Sequence, residues 1–185
     1  MTDAELIEKI KENDRLAFKE LIDKYETQIA SVTLNMLGDC PEAEDIGQEV
    51  FIRFYKNINN FRGEAAINTY LTRIAINLSL NELKRRKRKR IFFTAVVDVH
   101  DSPIMGQDGD DEFQDKEIRE LINKSVQQLS SKYRAVVLLR LIEGFSTEET
   151  AQILAIPMGT VASRLARAQL KLKNMLSKYM QERAA

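Results

Sequence analysis

The sequence is poor in the residues that build disulfides, metal sites and tight turns. It has one cysteine, one histidine, seven glycines, three prolines and no tryptophan among 185 residues. A single cysteine excludes an internal disulfide and a zinc site built on cysteines, and it agrees with a reducing compartment. The scarcity of glycine and proline favours a helical protein over one rich in strands and turns.

Long apolar runs are also missing. No run approaches the roughly 20 residues needed to span a bilayer. The segment Met1–Glu5 has neither a basic stretch nor a long apolar core, so it is unlike a signal peptide. We therefore expect a cytoplasmic protein with no direct membrane insertion.

The formal net charge of zero hides a strong asymmetry along the chain. Residues 1–95 carry 16 basic and 15 acidic side chains, whereas residues 96–117 carry one basic and eight acidic ones. Residues 118–185 carry 11 basic and five acidic side chains. A basic C-terminal segment can bind polyanions while the acidic segment before it stays away from them.

Apolar periodicity predicts an all-α protein made of two small helical domains. Apolar residues recur at three- and four-residue steps from Phe18 to Met36, and two more helices follow, the last of which runs into the basic cluster at 84–90. Between the first two helices, Pro41 suits a first helical turn and Asp39 suits a cap. We place the first domain at residues 1–92.

An acidic flexible linker is predicted at residues 93–116. Its periodicity fails, and it contains Ser102-Pro103 and six aspartates. Helical patterning resumes near Glu117, so the second domain covers residues 117–185. Within that domain, Ser146 and Glu149 have the spacing of a capping box.

The C-terminal segment has the pattern of a helix-turn-helix. A short helix after Ser146 leads to a tight turn at 157–159 and then to a long final helix. On a helical wheel, Arg167 is the best candidate to reach a base edge, Ser163 is the next, and Arg164 is better placed for a phosphate. The alternative is an ordinary helical hairpin whose charges are solvated.

Two further features suggest nucleic-acid contact. The basic run at 84–90 continues a helix that bears Arg73, Asn77 and Asn81, although such runs are often only solvated. Phe61 precedes an Arg-Gly pair, where it is equally suited to stacking on an unpaired base or to packing in the core.

An acidic cluster is formed by Glu44, Asp45 and Glu49. Its spacing is compatible with a metal site, but His100 is the only histidine and lies in the linker. A protein-contact surface that includes Gln48 is therefore favoured. No nucleophile–base pattern, phosphate loop or cofactor motif is visible, so we predict no catalytic residues, no cofactor and no metal.

Together these sequence motifs resemble those of the extracytoplasmic-function sigma factors, a group of the bacterial sigma-70 family. The resemblance covers residues 15–90 and 117–178. In the first block it rests on Ala43-Glu44-Asp45-Ile46, Gln48-Glu49-Val50-Phe51, Phe61-Arg62-Gly63, Thr69-Tyr70-Leu71 and Arg73-Ile74-Ala75. In the second it rests on Tyr133-Arg134-Ala135-Val136, Glu143-Gly144, Ser146, Glu148-Glu149, Ile156-Pro157, Gly159-Thr160-Val161 and Ser163-Arg164-Leu165.

The resemblance implies a non-catalytic specificity subunit that directs core RNA polymerase to promoters, often in stress responses. It implies contact with the beta-prime clamp coiled-coil through Asp45, Gln48 and Glu49, and further contact with the beta flap. It implies contacts with the minus-ten element through six residues: Phe61, Arg73, Asn77, Asn81, Lys84 and Arg85. It implies contacts with the minus-thirty-five element through five residues: Thr160, Ser163, Arg164, Arg167 and Lys171. An anti-sigma factor, frequently attached to the inner membrane, is a further implied partner.

The sequence departs from the family pattern at several positions. Tyr70 stands where tryptophan is usual, Ala155 where a turn glycine is usual, and Thr150 where isoleucine is usual. Ala162 and Ala166 leave the recognition face with few polar side chains, so weaker or differently specified minus-thirty-five contacts are expected. Two other functions stay open from the residues alone: a free-standing helix-turn-helix regulator with an N-terminal sensing or dimerisation domain, and a metal-dependent nuclease.

Overall fold

The computed structural model describes residues 1–63, 65–94 and 112–184. Within these residues the regular structure is entirely helical, which confirms the predicted all-α class. None of the described helices is long and apolar enough to cross a membrane. The helices are α1 (Asp3–Lys11), α2 (Arg15–Leu37), α3 (Pro41–Lys56), α4 (Ile67–Thr94), α5 (Glu112–Gln128), α6 (Ser131–Val137), α7 (Thr147–Leu154) and α8 (Met158–Ala184). A short 3-10 turn (Ile58–Asn60) follows α3, and a π-helical turn (Leu138–Ile142) follows α6.

The N-terminal module, residues 1–94, is a bundle of α1 to α4. Asp14 caps α2, because its carboxylate accepts hydrogen bonds from the backbone of Leu16 (2.8 Å) and Ala17 (3.2 Å). Gly38 ends α2 with a positive φ of 82°. The bundle core is formed by fully buried side chains from all four helices: Leu6, Ile10, Leu21, Ile29, Val50, Phe54, Leu71 and Ile76.

Two details of this module differ from the sequence prediction. Pro41 is the first residue of α3 as expected, but the cap is Cys40 rather than Asp39, and Cys40 makes no side-chain capping bond. Helix α1 was not predicted, although its start carries a local signal. Thr2 and Glu5 form a capping box there, with a 2.8 Å bond from Thr2 N to the Glu5 carboxylate.

The C-terminal module, residues 112–184, is built from α5 to α8. The predicted capping box at the start of α7 is confirmed, since Ser146 N donates to Glu149 Oε2 (2.7 Å) and Glu149 N donates to Ser146 Oγ (3.1 Å). Val126, Leu129, Val137 and Ala168 form a small core inside this module. A larger core continues without a break from α2 and α4 into Leu138, Leu139, Phe145 and Ile153.

Most of the linker predicted at 93–116 lies outside the described residues. Helix α4 continues to Thr94 and α5 begins at Glu112, so both ends of the predicted range are helical.

The turn between α7 and α8 suggests a stabilising substitution. Ala155 has a left-handed backbone (φ 50°, ψ 49°), where a Cβ atom costs about 1–2 kcal/mol. Ala155→Gly removes this cost but adds entropy to the unfolded chain, so we expect a net gain of about 0.5–1 kcal/mol. Urea unfolding followed by circular dichroism measures it. The control Ala162→Gly, in the exposed interior of α8, is expected to lose about 1 kcal/mol. If Ala155→Gly is less stable than the wild type, the left-handed backbone at Ala155 does not carry the expected cost.

Candidate nucleic-acid and polymerase interface

Helix α8 presents a polar recognition face to solvent. Ser163, Arg167 and Lys171 are exposed and Thr160 is half-buried, and their three- and four-residue spacing places them along one side of the helix. The Ser163 hydroxyl donates to Thr160 O (3.1 Å), which leaves its oxygen lone pairs for an incoming donor. Arg167 is therefore the long cationic group at the centre of this face.

The opposite side of α8 holds the helix-turn-helix together. Val161 and Ala168 are fully buried, whereas Leu165 and Ile156, which lies in the turn before α8, are half-buried. Thr150 of α7 is also fully buried, and its hydroxyl has no hydrogen-bond partner among the described residues. The family pattern has isoleucine at that position, which fills such a site without an unpaired polar atom.

Helix α4 carries a second exposed polar surface. Arg73, Asn77, Asn81 and Lys84 are all exposed and follow one another at four-, four- and three-residue steps, and we call these four residues the α4 stripe. At 1.5 Å of rise per residue the stripe is about 16 Å long, which is comparable to about five nucleotide steps. Four of the five residues predicted on this helix are thus brought together on one face, and the fifth, Arg85, is paired with Glu82.

Phe61 lies in an aromatic cluster at the end of the bundle. Its side chain is only 8% exposed, and its ring centroid lies 5.1 Å from that of Tyr70 and 6.0 Å from that of Phe54. The sequence left two interpretations of Phe61, stacking on an unpaired base and packing in the core. In the structure its side chain packs in the core. Tyr70 contacts Phe61 from the first turn of α4, so the cluster fixes the loop that precedes the α4 stripe.

Helix α3 carries the predicted protein-contact residues on one face. Asp45 and Gln48 are exposed, and Glu49 is half-buried with its carboxylate accepting a 2.7 Å bond from Arg53 Nε. Beside this face, α2 and α3 enclose a groove of about 740 Å³ with a mainly apolar lining. Its lining includes Ile22, Ile29, Leu34, Phe51, Glu26 and Glu44.

Among the described residues no group of three or more His, Cys, Asp or Glu side chains is placed to hold a metal ion.

The basic run divides into paired and outward-facing side chains. Arg85 donates two hydrogen bonds to Glu82 (2.6 and 2.8 Å), so the predicted DNA contact Arg85 is already in an ion pair. Arg86 donates to Glu82 (3.0 Å), Leu37 O (3.1 Å) and Cys40 Sγ (3.0 Å). Arg86 therefore joins α4 to the end of α2, a structural role that its place in a charged run did not reveal.

Two family models match this chain in the order of its modules. The model described as Sigma-70 region 2 matches residues 21–89, and the model described as Sigma-70, region 4 matches residues 119–172. The first match ends within the basic run, and the second covers the helix-turn-helix. The fold and its polar faces thus define a two-region factor of the sigma-70 type.

Whole-length relatives narrow the class further. The chain is 33% identical to the RNA polymerase sigma-H factor of Pseudomonas aeruginosa, over 97% of this chain and 96% of that protein. It is 34% identical to the extracytoplasmic-function sigma factor SigW of Bacillus subtilis, over 92% of this chain and 94% of that protein. The chain therefore belongs to the extracytoplasmic-function group of RNA polymerase sigma factors.

Solved structures agree on the fold. The protein CnrH, in complex with the cytosolic domain of CnrY, matches with a TM-score of 0.69 at 19% identity, and the match covers 95% of this chain and 97% of that one. The sigma factor RpoE of Bartonella quintana, in complex with the anti-sigma factor NepR, matches with a TM-score of 0.67 at 23% identity and covers 86% and 96%. The all-helical arrangement of two modules is thus shared with these proteins.

The Glu82 ion pairs predict a measurable pH dependence. The hydrogen bond from Arg85 lowers the pKa of the Glu82 carboxyl, with Arg86 acting in the same direction. A lowered pKa contributes stability above the ordinary glutamate pKa, and this contribution is lost as the pH falls through the folded-state pKa. The stability difference between wild type and Glu82→Gln should be constant above about pH 5 and shrink below that.

Chemical denaturation of both proteins between pH 3 and 7 measures this difference. Glu26→Gln, which changes an exposed carboxylate on α2, is the matched control. A difference that stays the same across the whole range contradicts the role of the Glu82 pairs.

Proposed function

We propose that this chain directs core RNA polymerase to promoters by contacting a minus-ten element with its N-terminal module and a minus-thirty-five element with its C-terminal module. The observation that carries the proposal is the presence of one exposed polar face on each module, the α4 stripe and the recognition face of α8. Each face lies on a rigid helix whose other side is buried. One chain can therefore contact two separated stretches of DNA.

The C-terminal module reads duplex DNA in this proposal. A recognition helix enters the major groove and reaches base edges with its side chains. Arg167 contacts a base edge, while Arg164 and Lys171 contact phosphates. Because Ala162 and Ala166 are exposed on the same helix and offer only methyl groups, few side chains carry the sequence preference.

The N-terminal module captures the opened strand. Asn77 and Asn81 have amides that can donate to and accept from unpaired bases, while Arg73 and Lys84 at the two ends of the α4 stripe neutralise phosphates. Extruding a base costs a few kcal/mol of unstacking, which these contacts offset. Phe61 shapes the adjoining loop through its packing on Tyr70. The chain supplies binding energy for strand opening and performs no covalent chemistry.

The α3 face serves as the docking site for polymerase. Asp45, Gln48 and Glu49 present carbonyl and carboxylate oxygens to the beta-prime clamp coiled-coil, and the C-terminal module meets the beta flap. The apolar groove beside this face offers a surface for an anti-sigma factor, a partner that one structural relative, RpoE of Bartonella quintana, holds in its solved complex. The place of action is the cytoplasm, where polymerase and promoter DNA are found.

Capture of core polymerase by the tagged full chain is the experiment that tests this proposal. We expect a stable complex and weak binding of promoter duplex by the chain alone. Tight duplex binding without any polymerase complex contradicts it and favours the free-standing regulator. Metal-dependent cleavage of DNA by the purified chain favours the nuclease instead.

The docking face predicts a loss of polymerase affinity on mutation. Asp45→Ala/Gln48→Ala removes two exposed polar groups, and at about 1 kcal/mol for each lost contact the Kd for core polymerase should rise about tenfold or more. Asp23→Ala/Gln28→Ala removes the same two residue types from α2, at one exposed and one half-buried position, and should leave the Kd unchanged. Fluorescence anisotropy with labelled protein measures both values. Equal Kd values for the two double variants contradict the assignment.

The recognition face predicts a change of sequence preference. Arg167→Ala should remove about 1–3 kcal/mol of discrimination between a matched and a mismatched minus-thirty-five element. Arg164→Ala, the control, should weaken binding to both elements by a similar factor. Initiation from the two templates with saturating core polymerase measures the ratio. Full activity and an unchanged ratio for Arg167→Ala rule out its role.

A further inference from the structure

Helix α8 carries a row of exposed apolar side chains beside its polar recognition face. Met158, Ala162, Ala166 and Leu170 follow one another at four-residue steps, and all four are exposed. The two long side chains stand well out from the protein, since Met158 is 55% exposed and Leu170 is 60% exposed. We call these four residues the apolar strip. Because α8 packs in the core with its other side, the strip is available to a partner.

The charge around the apolar strip fits a polyanion. Residues 158–181 contain five basic side chains and no acidic one. Arg167 and Lys171 are exposed along one edge of the strip, and Lys173 is exposed along the other edge beyond Leu170. The major groove of DNA combines base edges on its floor with phosphates on both walls. An apolar strip with cations on both edges therefore matches this groove.

The two residues at the centre of the strip are suited to one base in particular. Ala162 and Ala166 are short, so the backbone of α8 can approach the base edges closely. Neither side chain can donate or accept a hydrogen bond, and each presents one methyl group. Thymine is the base that presents a C5-methyl group in the major groove, and alanine is among the side chains that contact it there. Apolar contact thus distinguishes thymine from the other bases.

The spacing along α8 predicts where the thymines lie. Ala162 and Ala166 are about 6 Å apart along the helix axis, and base pairs are about 3.4 Å apart along B-form DNA. The two contacted methyl groups should therefore be about two base pairs apart. Arg167 follows Ala166 directly in the chain, and its guanidinium can bond guanine O6 and N7 at a neighbouring position.

We propose that the apolar strip reads thymine methyl groups in the minus-thirty-five element, with Ala162 and Ala166 as specificity-determining residues. The inference rests on the proposed function, which brings α8 to this element, and it adds the class of base that the helix selects. A recognition face with few polar side chains is then specific through methyl contacts as well as through the hydrogen bonds of Arg167.

Replacement of thymine by deoxyuridine tests this inference, because it removes the C5-methyl group and keeps the base pairing. A minus-thirty-five element is first selected from promoter templates randomised in both elements, with the full chain bound to core polymerase. Each thymine of the selected element is then replaced in turn by deoxyuridine. The Kd of the polymerase complex is measured for the thymine template and for each deoxyuridine template.

Two double variants separate methyl contact from helix stability. Ala162→Gly/Ala166→Gly removes both central methyl groups of the strip. Asn174→Gly/Ser177→Gly is the matched control, since it places two glycines at exposed positions of the same helix, about 12 Å or more from Ala166. Glycine loosens α8 in both variants, and a looser helix weakens binding to thymine and deoxyuridine templates alike. The ratio of the two Kd values therefore reports the methyl contact.

For the wild type we expect the Kd to rise about fourfold at each of two thymines, which is the factor for removing one buried methylene-sized group. These two thymines should be about two base pairs apart. The Asn174→Gly/Ser177→Gly control should keep the same ratios. The Ala162→Gly/Ala166→Gly variant should bind thymine and deoxyuridine templates with nearly equal Kd values.

Wild-type Kd values that do not respond to deoxyuridine overturn the inference and leave the strip to a protein partner. A selected element without thymine, or ratios that persist in Ala162→Gly/Ala166→Gly, also overturn it. Absence of any polymerase complex overturns the proposed function instead. The same ratios, measured on duplexes selected by the chain alone, then still decide whether the strip reads methyl groups.

Discussion

The capping of the C-terminal end of α2 is the constraint on which the arrangement of this protein depends. Helix ends leave backbone carbonyls unpaired, and burying them without donors is costly. Here Arg86 of α4 reaches Leu37 O, while Gln127 and Arg134 of the C-terminal module reach the two preceding carbonyls. One helix end thus orients both α4, which carries the α4 stripe, and the module that carries the helix-turn-helix.

This arrangement separates the surfaces used inside the protein from those left for partners. The inner sides of α2 and α4 are buried in the shared core, and the outward sides keep polar residues such as Asn77 on α4 and Gln48 on α3 exposed. On α8, Val161 faces inward while Arg167 faces solvent. Each helix that contributes to function is held by its apolar side, so its polar side is presented in a fixed direction.

Local signals predicted much of the fold and of the candidate site. Apolar spacing predicted the main helices, and the capping box at Ser146 predicted the start of α7, because these features depend on neighbouring residues. The short helix α1 has the same kind of signal at Thr2 and places the buried Leu6 and Ile10 four residues apart, but it was not predicted. The roles of Arg86 and Arg134 could not be predicted, since each bonds carbonyls at least 49 residues away in the chain. The burial of Phe61 likewise depends on Tyr70, which only the folded bundle brings near.

We propose that one chain reads two promoter elements with two modules held at a defined separation on polymerase. Transcription from templates whose spacer between the elements is changed tests this most directly. Insertion of about five base pairs, half a helical turn, turns one element to the opposite side of the duplex. We expect initiation with core polymerase and this chain to fall steeply on that template. Equal initiation from the original and the lengthened spacer would contradict it.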